Sequence, residues 1–392
     1  MFNAGYRKII IYYRPRISSR KHSPWMDGYS ILKTTLKGCL IRLMTPSRFD
    51  LSKQSESLPH VSIIVTVKNE EKKLKETLEA LTKIDYPSYE VVLVDGGSND
   101  GTINIAEKFP IKTIQASDSN PGQGRNIGVE NSSGEVIAFI DGDCVPERDW
   151  LRKSVESLKC KGVGGVGGPM VPYEKSNHLS KTILNALSTI FANAGSTNFA
   201  RYKKSKVVKN IPSCNAIYRR EILEEARLFS DDLKYCEDVD LNYKIRKKGY
   251  CVMYSPDLAV KHNWKVDSFF SLFQFMLKYG AGRAIASRKY RHLASLLHVL
   301  PSVCLIFILS LFAGAAFVNF FGLLAELLIF SYLILSFFFG LLCFYRFHDT
   351  KIILVAPITY IITHVGYALG YILGLILEEK TYSLLGNKSK KE

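Results

Sequence analysis

The chain has 392 residues, enough for one or two domains, and a formal net charge of +16. Such a charge favours anionic partners, which are nucleotide phosphates, nucleic acid or acidic lipid headgroups. The eight cysteines are scattered, with no Cys-x-x-Cys pair and no histidine at zinc spacing. This distribution argues against a structural zinc site and favours reduced thiols.

Residues 1–58 form a basic N-terminal segment. The stretch GYSILKTTLKGCLIRLM (28–44) places Leu32, Leu36, Leu40 and Leu43 at helical spacing, with lysine and arginine between them. This pattern suits a basic helix that lies on an anionic membrane surface. A disordered basic arm is the alternative, and the sequence leaves both open.

Residues 59–290 alternate strand and helix patterns. The predicted strands lie at 60–67, 89–95, 111–116 and 137–141, and the predicted helices at 69–84, 103–109 and 124–134. Such alternation predicts an α/β domain with a mostly parallel sheet that is covered on both faces. Ligands of such sheets bind beyond the carboxyl ends of the strands.

Two acidic turns, at 95–100 and 141–143, fall at those strand ends. If they converge, their carboxylates need a cation between them. Oxygen ligands select a hard cation, Mg²⁺ or Mn²⁺, which also takes phosphate oxygens as ligands. Because Asp-Gly is a common turn signal, Asp141 and Asp143 can also be read as turn-forming residues.

The segment GVGGVG (162–167) satisfies the Gly-x-Gly-x-x-Gly fingerprint of dinucleotide-binding folds. Pro169 and Pro172 interrupt any helix after it, and no acidic residue lies at the distance that a ribose contact requires. We therefore predict a closely packed strand here and exclude a dehydrogenase.

Residues 291–377 hold three long apolar runs, at about 296–318, 321–345 and 352–377. Each exceeds the roughly 20 residues that a helix needs to cross a bilayer. Basic residues before the first run and between the second and third predict that the 59–290 domain is cytoplasmic. Three spans would place the basic tail at 378–392 on the far side, which argues mildly against this topology.

Several motifs, in one order over residues 61–262, resemble the inverting glycosyltransferases of family 2. They are VSIIVTVKNE, YEVVLVDGGSNDGT, GQGRNIGVENSSGEVIAFIDGDC, PSCNAIYRREIL and YCEDVDLNYKIRKKGY. The resemblance implies a GT-A fold, a nucleotide-diphosphate sugar as donor, with UDP expected, and Mg²⁺ or Mn²⁺ as cofactor. Gly96 departs from the acidic pair of the family's DDGS turn, which weakens any inference about base recognition.

The resemblance also assigns roles to residues. The nucleotide-sugar contacts would be Thr66, Asp95, Arg125, Asn126 and Asp141. The metal ligands would be Asp143, Asp141 and His262. The catalytic acids would be Asp238, as general base, and Glu237. An acidic first helical turn would explain the same two carboxylates without catalysis.

A segment before the apolar runs matches the family's Gln-x-x-Arg-Trp motif in part. Gln274 is in place, but the Arg-Trp pair is missing. Tyr279 and Arg283 are candidate contacts to donor or acceptor, and an ordinary interfacial helix is the alternative.

Together these patterns predict a multi-pass cell-membrane hexosyl- or N-acetylhexosaminyl-transferase with a cytoplasmic catalytic domain. Its acceptor would be a polyprenyl- or dolichyl-linked glycan, used for surface polysaccharide or glycoprotein assembly, and nucleic acid would not be a partner. A polyprenyl-phosphate sugar synthase is the second hypothesis. A catalytically inactive scaffold of a glycan assembly complex is the third, which the presence of Asp141, Asp143 and Asp238 disfavours.

Overall fold

The computed structural model describes residues 58–377, apart from 194, 195, 198 and 265. The basic helix expected at 28–44 and the basic tail at 378–392 lie outside the described residues.

The first part of the described chain alternates strands and helices, as the sequence predicts. The elements are β1 (Val61–Val67), α1 (Leu74–Leu81), β2 (Tyr89–Asp95), α2 (Thr102–Ala106), β3 (Lys112–Gln115), α3 (Pro121–Glu130), β4 (Val136–Asp141), β5 (Cys144–Pro146) and α4 (Trp150–Leu158). Helix α1 is shorter than the predicted 69–84 segment because residues 71–73 form a turn before it. It buries Leu74, Leu78 and Leu81 on one face.

The second part of the domain is richer in short strands. It contains β6 (Val163–Gly167), β7 (Met170–Pro172), α5 (His178–Leu187), α6 (Ile190–Asn193), β8 (Lys206–Val208), β9 (Asn215–Arg219), α7 (Arg220–Glu225), α8 (Glu237–Lys247), β10 (Cys251–Tyr254) and β11 (Val260–His262).

Eight strands form the central sheet in the order β3-β2-β1-β4-β9-β6-β10-β8, and β5, β11 and β7 form a smaller sheet. Strands β3, β2, β1 and β4 are parallel to one another, and β6 is parallel to β10. Strand β9 is antiparallel to β4 and β6, and β8 is antiparallel to β10. The mostly parallel sheet predicted from the sequence is confirmed, although the alternation of elements does not predict the antiparallel strands.

The sheet is buried on both faces. Along β1, Ile63 and Val65 pack into one apolar cluster, while Ile64 packs into the other, and all three are fully buried. Successive side chains of a strand point to opposite faces, so a continuous run of β-branched residues fits this central position.

The glycine-rich segment is strand β6, as predicted. Its glycines allow close packing, because a Cβ on Gly165 would run into the ring of Tyr218 on neighbouring β9. The dinucleotide-loop interpretation is therefore excluded by the structure as well as by the sequence.

Four long helices complete the described chain. They are α9 (Phe269–Lys289), α10 (Leu296–Ala315), α11 (Asn319–Phe347) and α12 (Ile352–Ile376), with a 3₁₀ turn at Arg291–Leu293 before α10. Helices α10 to α12 are long and apolar enough to cross a membrane. Their bounds differ by only a few residues from the three apolar runs of the sequence.

Helix α12 packs unusually closely against α9. Gly366, Gly370 and Gly374 occur every fourth residue and so share one face of α12. A Cβ on Gly370 would meet the carbonyl oxygen of Leu277, and one on Gly280 would meet that of Tyr367. Small residues permit such backbone contact between helices. The last apolar helix therefore fixes the position of α9, which carries Tyr279 and Arg283.

Candidate active site

The acidic turns meet at one edge of the central sheet. In the strand register, Thr66 of β1 pairs with Asp141 of β4, and Val67 pairs with Asp95 of β2. Thr66, Asp95 and Asp141 therefore lie at neighbouring strand ends, where the sequence predicts the nucleotide site.

The carboxylate of Asp95 accepts hydrogen bonds from the loop that follows it. It is 3% exposed and accepts hydrogen bonds from the backbone N–H groups of Gly97, at 3.0 Å, and Ser98, at 2.9 Å. Asp100 similarly accepts from the backbone N–H groups of Thr102 and Glu71. Both aspartates therefore stabilise the turn.

Arg125 connects Asp141, at the strand ends, to Glu237, at the start of α8. Its Nη2 lies 2.9 Å from Asp141 Oδ1, and its Nη1 lies 2.8 Å from Glu237 Oε1. The guanidinium is 4% exposed and packs over the ring of Phe229. Burial lowers the pKa of Arg125, but the two carboxylates raise it by more, so the residue remains charged. The cation beside Asp141 in the structure is thus a guanidinium, supplied by helix α3.

Asn126, the neighbour of Arg125, holds a loop in place. Its Nδ2 donates to the carbonyl oxygen of Phe229 and to Asp231 Oδ1, both at 3.0 Å, and its Oδ1 accepts from the backbone N–H of Phe229. This loop leads into α8, so Asn126 positions the segment before the acid pair.

Glu237 and Asp238 form the first turn of α8. Cys236, which precedes them, has a φ of 61°, in the left-handed region that non-glycine residues rarely adopt. Burial raises the pKa of both carboxyl groups, and the charges of Arg283 and Arg125 lower that of Asp238 in part. Asp238 Oδ1 also accepts a hydrogen bond from the backbone N–H of Val239 at 2.8 Å. The result is an oriented carboxylate that binds a proton more readily than an exposed aspartate does.

A possible metal site lies just beyond Asp141. Asp143 Oδ1 is 3.2 Å from His262 Nε2, because β5 and β11 pair Cys144 with His262. The donor atoms of Asp143, Cys144 and His262 all lie within 4.8 Å of one another. His262 Nδ1 is buried without a hydrogen-bond partner.

This donor set fits a hard cation through its carboxylate and imidazole. A hydrogen bond with Cys214 and burial raise the pKa of the Cys144 thiol. Thiolate sulfur is also a soft ligand, which a hard cation binds less well than a carboxylate. The structure brings Asp143 and His262 together, as predicted, but gives Asp141 a different partner. Cys144, which follows Asp143 in the chain, is also part of the group.

Of the three candidate residues on α9, two line a cavity and one does not. Tyr279 and Arg283 line a cavity of about 590 Å³ between the α/β domain and helices α10 and α12, while Gln274 does not line it. Val239, the neighbour of Asp238, also lines this cavity. Sequence reasoning missed Thr363 and Tyr367 of α12, whose spacing of four residues places both on one helix face toward the cavity.

Comparison with known proteins gives the family. The sequence model of "Glycosyl transferase family 2" matches residues 62–227. Glycosyltransferase AglE of Haloferax volcanii is 32% identical over 217 residues, which are 53% of this chain and 68% of AglE. The probable glycosyltransferase YdaM of Bacillus subtilis is 28% identical over 54% of this chain and 53% of its own length.

A third relative has a more specific name. The dolichyl N-acetyl-alpha-D-glucosaminyl phosphate 3-beta-D-2,3-diacetamido-2,3-dideoxy-beta-D-glucuronosyltransferase of Methanococcus voltae is 24% identical over 58% of this chain and 74% of its own length.

One solved structure resembles nearly the whole chain. The mannosyltransferase PcManGT of Pyrobaculum calidifontis, in complex with GDP-Man and Mn²⁺, aligns with a TM-score of 0.57 and 20% identity. The alignment covers 90% of this chain and 97% of PcManGT, and at that identity it supports the fold alone. Taken with the match to AglE, these findings show that the chain belongs to glycosyltransferase family 2 and is a glycosyltransferase with a GT-A fold.

Proposed function

We propose that this enzyme moves a sugar, with inversion, from a nucleotide-diphosphate sugar to a lipid-linked glycan at a membrane. The observation that carries the proposal is the position of Asp238. One neighbour, Glu237, is linked through Arg125 to the strand-end acid Asp141, and the other, Val239, lines a cavity that reaches the apolar helices. The name of the Methanococcus voltae relative, which specifies a dolichyl-linked acceptor, supports this acceptor class.

The donor would bind at the strand ends, with UDP as the expected nucleotide. A Mg²⁺ or Mn²⁺ held by Asp143 and His262 would offset the negative charge of its diphosphate. Thr66 and Asp141, which are paired in the sheet, would form the adjacent wall. Arg125 pairs with both Asp141 and Glu237, so it links the donor side of the site to the base side.

Asp238 would act as the general base. A sugar hydroxyl is a poor nucleophile, and a carboxylate that accepts its proton during attack contributes typically 10²–10⁴-fold to the rate. Burial raises the pKa of Asp238, which makes it a stronger base than an exposed aspartate. As the hydroxyl oxygen bonds to the anomeric carbon, the nucleoside diphosphate departs from the opposite face, which inverts the configuration.

Helices α10 to α12 would span the cell membrane, with the transferase domain in the cytoplasm. Basic residues precede α10, namely Arg283, Arg288, Lys289 and Arg291, and two more, Arg346 and Lys351, lie where α11 ends and α12 begins. Their positions follow the positive-inside rule for a cytoplasmic domain. The product would then serve surface polysaccharide or glycoprotein glycan assembly.

The test uses the full chain in native membranes and a panel of labelled nucleotide sugars, followed by lipid extraction. We expect label from one donor in a lipid-linked glycan, with EDTA abolishing transfer. Asp238→Asn should lower transfer at least 100-fold, and the exposed acid Asp257 provides the matched control Asp257→Asn. Transfer that persists in Asp238→Asn would contradict the base assignment, and label on bare polyprenyl phosphate would favour a synthase.

A further inference from the structure

The cavity beside Asp238 is strongly basic. Four cationic side chains line it, namely Lys206, Lys209, Arg246 and Arg283. None of the described residues that line it is aspartate or glutamate. Lining cations without lining carboxylates create a positive potential, which favours an anionic ligand.

The cavity also concentrates polar atoms that lack hydrogen-bond partners. They are Arg283 Nε and Nη1, Arg246 Nε, His298 Nδ1, Thr363 Oγ1, Tyr367 Oη and Asn210 Oδ1. Arg283 is only 6% exposed, so two of its nitrogens are buried without an acceptor. Most buried polar groups in folded proteins are hydrogen-bonded. All of these atoms except Asn210 Oδ1 can donate a hydrogen bond, so the cluster indicates a ligand rich in acceptor oxygens.

The walls of the cavity have two different origins. Arg246 and Val239 come from α8 of the transferase domain, whereas Leu297 and Pro301 of α10 and Tyr367 of α12 come from the apolar helices. A ligand that fills it therefore contacts polar protein at one end and helices suited to a lipid bilayer at the other. This combination matches an amphiphile with an anionic head.

The cavity is separate from the donor side. Its lining includes none of Thr66, Asp95, Asp141 and Asp143, which lie at the strand ends. Val239 lines it, and the Val239 backbone N–H holds the carboxylate of Asp238. A group bound in the cavity therefore lies next to the residue whose backbone N–H orients the base.

We propose that this cavity binds the phosphate that joins the isoprenoid chain to the glycan in the lipid-linked acceptor, with Arg283 as its main contact. The inference rests on the proposed function for its choice of ligand. Thr363 and Tyr367 donate hydroxyl hydrogen bonds to the phosphate, and the isoprenoid chain leaves along α10, past Leu297 and Pro301. The phosphate thereby fixes the distance between the lipid head and Asp238.

The test measures binding without any donor, so that it is independent of transfer activity. The full chain is placed in phosphatidylcholine nanodiscs, and farnesyl phosphate is titrated by microscale thermophoresis. Arg283→Gln should weaken binding by about 10- to 100-fold, the loss expected for a hydrogen bond to a charged group. The matched control is Lys278→Gln, an exposed cation on the same helix that does not line the cavity. If Arg283→Gln does not fold, Thr363→Val with Tyr367→Phe should weaken binding several-fold.

Three comparisons identify the source of the phosphate. Farnesol and inorganic pyrophosphate should each bind at least 10-fold more weakly than farnesyl phosphate, and adding phosphatidic acid to the nanodisc should not compete. If farnesol binds as tightly as farnesyl phosphate, the cavity does not recognise the phosphate, and the proposal is wrong. Equal binding of pyrophosphate would indicate a free anion, and competition by phosphatidic acid would indicate a bilayer headgroup. Wild-type affinity in both the Arg283 variant and the hydroxyl variant would overturn the site, even if lipid-linked transfer is observed.

Discussion

Arg125 Nη1 lies 2.8 Å from Glu237 Oε1, although 112 residues separate them in the chain. The same guanidinium binds Asp141 at 2.9 Å, so one side chain joins a strand end to the first turn of α8. This bridge fixes the spacing between the donor-side acids and the base beside Glu237. An active site that must hold two substrates in register benefits from such a rigid link.

Removing the guanidinium should destabilise the fold. Arg125→Gln leaves Asp141 and the largely buried Glu237 without their common partner, and breaking a buried pair costs about 3–5 kcal/mol. We expect the free energy of unfolding of the purified chain to fall by that order, measured by denaturation in detergent. The double variant Arg125→Gln/Glu237→Gln should recover part of the loss, because it removes one uncompensated charge. Equal stability of Arg125→Gln and wild type would contradict the bridge.

Much of the sheet could be predicted from the sequence because local patterns define it. The β-branched run at 61–67 and the acidic turns at 95–100 and 141–143 are each a short continuous stretch of sequence. Because the strands are parallel, the two turns follow strand ends that lie at the same edge of the sheet. The ion pair of Arg125 with Glu237 could not be predicted, since it depends on how α8 packs on α3. Asn126 likewise matched a family position, but only the fold shows that it holds the loop at 229–231.

The basic cavity had no sequence signature of its own. Arg246, His298 and Tyr367 come from three helices and converge only when α12 packs against α9. Arg283 was a candidate from its position before the apolar runs, yet its unpartnered nitrogens are visible only in three dimensions. Patterns within one segment therefore predict strands and turns, whereas a cavity lined by several helices depends on how those helices pack.

The pH dependence of transfer should reflect the environment of Asp238. The base must be deprotonated, so kcat/KM is lost as pH falls through its pKa, which burial raises above the ordinary value of about 3.9. The charge of Arg283 lowers this pKa in part. Arg283→Gln should therefore shift the acidic limb to higher pH, while Lys278→Gln should leave it in place. A shift to lower pH, or none, would contradict the coupling.

Metal dependence should rest on Asp143 and His262 and not on Cys144. His262→Ala removes a nitrogen donor, so the Mn²⁺ concentration for half-maximal transfer should rise by at least about 10-fold. Cys144→Ser should leave that concentration within about 2-fold of wild type, because a hard cation takes the carboxylate and the imidazole in preference to sulfur. The measurement is activity against Mn²⁺ after EDTA treatment, with direct Mn²⁺ binding by electron paramagnetic resonance as a second readout. Equal loss in both variants would indicate that the sulfur is a ligand.

The glycine face of α12 should be essential for the cavity. Gly370→Leu places a side chain against the carbonyl oxygen of Leu277 on α9, where only a hydrogen fits. Overpacking of this kind costs typically 1–3 kcal/mol, and a backbone neighbour can relax only if the helices separate. Separation would move Arg283 on α9 away from Tyr367 on α12. We therefore expect weaker binding of farnesyl phosphate and a lower thermal midpoint.

The matched control for this variant is Leu369→Val. Leu369 is 37% exposed on the same helix, so the substitution changes an apolar side chain without entering the contact with α9. It should leave both the thermal midpoint and farnesyl phosphate binding near wild-type values. If Gly370→Leu binds farnesyl phosphate as tightly as Leu369→Val does, the close packing of α12 against α9 does not position the phosphate site, and the two helices contribute to it independently.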